Sequence, residues 1–165
     1  MNPSLRHMLA TSILCAASHL SAAEDVEPPL DSLRSWAEAW SSGDVDKLME
    51  LYDSAEETTA IESLGHIRKG PDEIRTMYEG AFEELAFERV RLTPIAQGRH
   101  DSVAWVTCRY RADIRLKSDN SEHVLEVLGT FVLKREGDGW KITLEHFSAI
   151  PGIPRVRPAG SKSGG

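Results

Sequence analysis

The sequence predicts an α+β domain in which helices come first and an antiparallel sheet follows. Apolar residues recur at three and four from Leu30 to Trp40, and again from Ile74 to Leu85, which is the period of amphipathic helices. From Phe87 to Ile150 the chain reads instead as four runs rich in β-branched and aromatic residues. Turn clusters short enough for hairpins separate those runs.

In the first helix Leu30, Leu33, Trp36, Ala37 and Trp40 share a face, and Ser41-Ser42-Gly43 stops it. Asp44 is placed to cap a second, short helix with Leu48, Leu51 and Tyr52 on its buried side. Thr58 to Ile61 is short and β-rich; Gly65 allows a turn, and His66-Ile67-Arg68 returns as a second strand. Gly70-Pro71 opens a third helix, with Asp72 and Glu73 at its positive end. The four strands are expected at 87–96, 102–116, 123–135 and 140–150, with Pro94 marking an edge or a bulge in the first. Strict alternation in the last strand puts Trp140, Ile142, Leu144, His146 and Ser148 on the inner face, and Lys141, Thr143 and Glu145 outside. For 102–116, alternation does not decide which face is inward; Arg109 and Arg111 are favoured as outer. In the third strand Leu125, Val127, Phe131 and Leu133 share one face and Val124, Leu128 and Val132 the other. A strand apolar on both faces requires cover on both, and a second subunit supplies it most economically. A homodimer through Val124, Leu128 and Val132 is therefore expected.

The 165 residues suffice for one domain with its own core. Residues 1–23 read as a signal peptide: Arg6 and His7, an apolar run from Met8 to Ser18, then the small residues Ser21-Ala22-Ala23. Cleavage near Ala23-Glu24 would give a secreted or periplasmic chain. The apolar run is too short to span a membrane, and Leu14 before Cys15 argues against a lipid anchor. Residues 24–29 form a linker, 30–152 the domain, and 153–165, rich in Pro, Gly and Ser, a disordered tail. The net charge is −7, or −8 without Arg6, which speaks against nucleic-acid partners. Cys108 is the one cysteine after residue 23, so no internal disulfide is available. No His/Cys spacing fits a metal, and no cofactor is expected.

Four segments in order resemble the SnoaL-like, ketosteroid-isomerase-like branch of the nuclear-transport-factor-2 superfamily. They are Trp36-Ala37-Glu38-Ala39-Trp40-Ser41-Ser42-Gly43-Asp44, Leu48 to Tyr52, Arg68 to Ile74, and Gly139-Trp140-Lys141-Ile142 with Glu145-His146-Phe147-Ser148. The resemblance covers about Leu30 to Ile150. It implies a cone, a curved sheet wrapped by three helices, with a pocket at its open end and dimers through the sheet's outer face. It does not fix an activity. Overlaid on the isomerase pattern, Trp36 stands at the oxyanion-hole tyrosine and Gly129 at its aspartic acid, with Ile61 or Glu62 near the base, so steroid isomerisation is not expected. Pocket-lining candidates are Trp36, Tyr52, Tyr78, Phe131 and Ser148, with His66 near the mouth. Two function classes stay open. One is a module that binds a small, partly apolar molecule without catalysis. The other is an isomerase, cyclase or hydrolase using His146 with Glu62 or Tyr52.

Overall fold

The structure, a computed structural model, describes residues 29–160. The expected signal segment 1–23 and most of the linker lie outside the described residues.

Three helices come first, α1 (Leu30–Ser42), α2 (Val45–Met49) and α3 (Gly70–Glu84), with the short strands β1 (Thr59–Ile61) and β2 (Ile67–Lys69) between the last two. Gly43 ends α1 in the left-handed conformation at φ 66°, where a Cβ would be strained. Asp44 then caps α2, its carboxylate accepting from the Lys47 backbone N–H at 3.0 Å. The long strands are β3 (Leu85–His100), β4 (Val103–Leu116), β5 (Glu122–Glu136) and β6 (Gly139–Ser148), and β7 (Val156–Pro158) ends the chain's regular structure.

The sheet is curved and unclosed, in the order β2-β1-β6-β5-β4-β3, and β7 also pairs with β5. All long neighbours are antiparallel, whereas β1 joins β6 in parallel. Pro94 satisfies both of its expected roles: β3 is the edge strand, and its register slips between Pro94 and Ala96. The helices cover the inner face, where Trp36 is fully buried against Phe131, Tyr110 and Phe147. On β4 the inner residues are Val106, Cys108 and Tyr110, and the arginines Arg109 and Arg111 lie outside.

Two expectations are corrected. First, β6 does not alternate strictly. Leu144 pairs with Val132, but Ile142 pairs with Leu133, so Thr143 has no opposite number and the strand bulges there. One extra residue inverts the phase of everything beyond it. Ile142 stays inside, but Glu145 and Phe147 now point inward and Leu144, His146 and Ser148 outward. Second, the tail expected to be disordered from 153 contains β7. β6 ends at Ser148 opposite Leu128, which leaves the lower part of β5 with a free edge. The chain returns to that edge, Arg155 C=O accepting from the Glu126 N–H at 2.8 Å and Arg157 pairing with Val124. Residues 161–165 lie outside the described part.

Candidate functional site

The bulge in β6 delivers a carboxyl to the inside of the cone. Glu145 is 1% exposed. Around it stand three aromatic residues, each set by a different element: Trp36 on α1, Tyr52 just after α2, and Tyr78 on α3. Backbone bonds on both sides fix the Tyr52 segment to β6, from Ile142 N–H to Leu51 C=O at 2.8 Å and from Asp53 N–H to Ile142 C=O at 2.9 Å. The Tyr52 hydroxyl donates to Glu145 Oε2 at 2.5 Å and the Tyr78 hydroxyl to Oε1 at 2.7 Å. Trp36 Nε1 donates to the Tyr52 hydroxyl at 3.0 Å, and the two tyrosine hydroxyls also touch each other.

Proton counting constrains this cluster. Three mutual contacts among the two phenols and the carboxyl need three protons if each is to be a hydrogen bond. The phenols bring two. With Glu145 ionised both phenols donate to it, and the contact between Tyr52 and Tyr78 holds no proton. With Glu145 neutral its own proton closes the ring. Burial acts in the same direction: it pushes the carboxyl up to about 7 from an ordinary 4.5, against the hydrogen bonds from Tyr52 and Tyr78, with Glu62 adding a small upward push. The same burial, and then the neighbouring Glu145, raises Tyr52 and Tyr78 far above the usual phenol range, so both remain donors near neutral pH.

Glu145 lines a cavity of about 770 Å³ between α3, the β1–β2 hairpin and the inner sheet. Its walls include Trp40, Tyr78, Tyr110 and Phe147, and Glu62 and Arg68 stand among its polar residues. Arg68 Nε donates to Glu62 at 3.0 Å, and the exposed His66 ring lies 3.8 Å from the same carboxylate. A second groove, about 750 Å³ between α1 and β3–β4, is lined largely by apolar residues such as Leu33, Leu92 and Val106. Its one thiol, Cys108, is pushed up to about 12 by burial and stays protonated. The acid–base chemistry is therefore concentrated in the first cavity.

The sequence candidates divide accordingly. Glu62 and Tyr78 line the cavity. Tyr52, Trp36 and Phe131 are buried in the surrounding core, where Tyr52 donates to Glu145 and Trp36 donates to Tyr52. His146 is exposed on the outer face opposite Thr130, and Ser148 lies on that face opposite Leu128, so neither reaches the cavity. Gly129 packs against Phe147: a Cβ there would stand 2.9 Å from the ring, which leaves no room for an aspartic acid. Sequence reasoning missed Glu145, Tyr110, Trp40 and Phe147 as cavity residues. A signal for the bulge was present, because strict alternation would have put the aromatic Phe147 on the same outer face as Lys141. Among the described residues no three His, Cys, Asp or Glu converge as metal ligands, and no helix is long and apolar enough to cross a membrane.

The SnoaL-like domain model matches residues 30–152. No curated protein matches the chain. Among solved structures, a ketosteroid isomerase-like protein from Erwinia carotovora is similar at TM-score 0.68 and 15% identity, covering 78% of this chain and 98% of that one. A nuclear transport factor 2-like superfamily protein from Salmonella enterica matches at TM-score 0.64 and 16% identity, covering 74% and 90%. A protein of unknown function with the same fold from Shewanella oneidensis matches at TM-score 0.60 and 26% identity, covering 72% and 94%. The helix-wrapped open sheet and the matched span agree with one another: the chain belongs to the SnoaL-like domain family, on a nuclear-transport-factor-2-like fold.

Proposed function

We propose that this chain binds a small, partly apolar molecule in the Glu145 cavity and moves a proton to or from it through that carboxyl. One observation carries the reading: a carboxyl 1% exposed lines a ligand-sized cavity, and that burial pushes its ionisation up to about 7. A general acid or base works best when its pKa lies near the working pH. Burial provides that here, while Tyr52 and Tyr78 fix the direction of the group and Trp36 donates to Tyr52. His146 has no part in this reading, and Glu62 is a polar residue of the same cavity rather than the base.

A second reading, binding without chemistry, is supported by the tyrosine partners that both oxygens of Glu145 already have. Exchange of ketone α-protons in D₂O separates the two. With a panel of small cyclic ketones, proton transfer by Glu145 should speed exchange by at least about a hundredfold, and Glu145→Gln should abolish the acceleration. Ketones that bind while exchanging at the buffer rate in both proteins would leave binding alone.

We also infer a homodimer through the outer sheet face. Leu128 and Val132 are half-buried there, Trp105 is exposed, and Val124 is already buried beside Arg157 within the single chain. An isologous interface of standard size, on the order of 1,600 Å² in total, would be centred on Leu128 and Val132. Val132→Glu should then give monomers in sedimentation, and an unmodified chain that is monomeric at micromolar concentration contradicts the interface.

A further inference from the structure

Two buried hydrogen-bond donors on residues that line the cavity, the Tyr110 hydroxyl and Trp40 Nε1, have no partner among the described residues. Tyr110 is only 3% exposed. A buried donor left unpaired costs about 1–3 kcal/mol, and such groups are uncommon in folded proteins. The other buried atoms without partners belong to Arg99 and Arg157, which do not line this cavity. Trp40 and Tyr110 are neighbours, with ring centroids 6.4 Å apart. Burial, then the nearby Glu145, raises the Tyr110 phenol, which keeps its proton. An indole N–H is a donor only. What the pair lacks is an acceptor.

We propose that Tyr110 and Trp40 hold a carbonyl-type oxygen of the ligand, and that the ligand is a neutral molecule with a flat apolar body rather than an anion. This deepens the proposed function and rests on the cavity being a ligand site. The flat body follows from the aromatic walls, where Tyr78 and Phe147 join the two donors. Neutrality follows from the charge around the cavity. Glu62, Asp72, Glu73 and Glu84 line it against one cation, Arg68, which is already bonded to Glu62. Carboxylates and phosphates are repelled by that field. An ammonium ligand would be drawn by it, but would bring further donors to two groups that need an acceptor.

Four probes with one naphthalene body separate these cases: 2-acetylnaphthalene, 2-ethylnaphthalene, 2-naphthoate and trimethyl(2-naphthyl)ammonium. The ketone should bind about five- to tenfold tighter than the hydrocarbon, and 2-naphthoate should bind weakest. Tyr110→Phe should erase the ketone's advantage while leaving 2-ethylnaphthalene binding unchanged, and Trp40→Phe should reduce that advantage. In the unmodified protein the Trp40 indole N–H resonance should move downfield with the ketone only. Equal binding of ketone and hydrocarbon would overturn the donor pair while leaving the ligand site intact. Tightest binding by the ammonium or by 2-naphthoate would overturn the neutral-ligand assignment. Failure of all four to bind would remove the ligand site itself, and the proposed function with it.

Discussion

Glu145→Gln is expected to stabilise the protein above pH 7 and to flatten its stability between about pH 4.5 and 7. The sign follows from proton linkage. The folded carboxyl holds its proton up to about 7, whereas the unfolded chain releases it near 4.5. Between those values the folded state binds more protons, so stability falls as pH rises. The contribution is fully present below about 4.5 and has been lost once pH passes about 7. Its size is on the order of 3 kcal/mol, from about 1.4 kcal/mol per unit of displacement. Glutamine has nearly the same shape, accepts from one tyrosine, donates to the other, and never ionises. Urea unfolding of both proteins from pH 4 to 8.5 measures the difference. Parallel curves for the two proteins across that range would show that Glu145 does not titrate there.

Glu126→Ala is expected to destabilise by about 3–5 kcal/mol at pH 7, through a different buried carboxylate. Glu126 lies on the outer face of β5, accepting from Arg109 Nη1 and from Arg157 Nη2, each at 2.8 Å, with Arg111 at 3.8 Å. Burial alone would raise this carboxyl, but the bonds from Arg109 and Arg157 outweigh it and hold it below the ordinary range. Its contribution is therefore present above the ordinary carboxylate pKa and lost as pH falls, opposite in sign to that of Glu145. Arg157 is 7% exposed, and without Glu126 its cation would be buried unpaired. Since Arg157 belongs to β7, the same substitution should free the C-terminal segment for limited proteolysis. A loss below about 1 kcal/mol would show that β7 is not held by this pair.

Elements whose cause is local were legible in the sequence. The Gly43 stop, the Asp44 cap, the third helix after Gly70-Pro71 and the four long strands all follow from neighbours within a few residues. The parallel joining of β1 to β6 was not legible, because nothing near Thr59 names its partner. Nor was β7: three residues with no periodicity are held by the free edge of β5 and by a guanidinium meeting Glu126, far away in the chain. The site was half legible. Tyr78 and Trp36 sit on helices, where periodicity fixes the buried face, and Tyr52 follows just after α2. Glu145 sits on a strand, where one bulged residue reverses the face, so strict alternation put His146 inside and Glu145 outside. Helical phase tolerates a misplaced residue, and strand phase does not.

The most direct test of Glu145 as a near-neutral acid in the cavity is a carboxyl titration by NMR, with ¹³C-labelled glutamate and Glu145→Gln to assign the signal. The expected midpoint is about 7, with Glu145 neutral at pH 5. A midpoint at or below the ordinary 4.5 would mean that the carboxyl is ionised throughout the neutral range. Glu145 would then be a structural anion fixed by its two tyrosines, and the proton-transfer reading would be wrong.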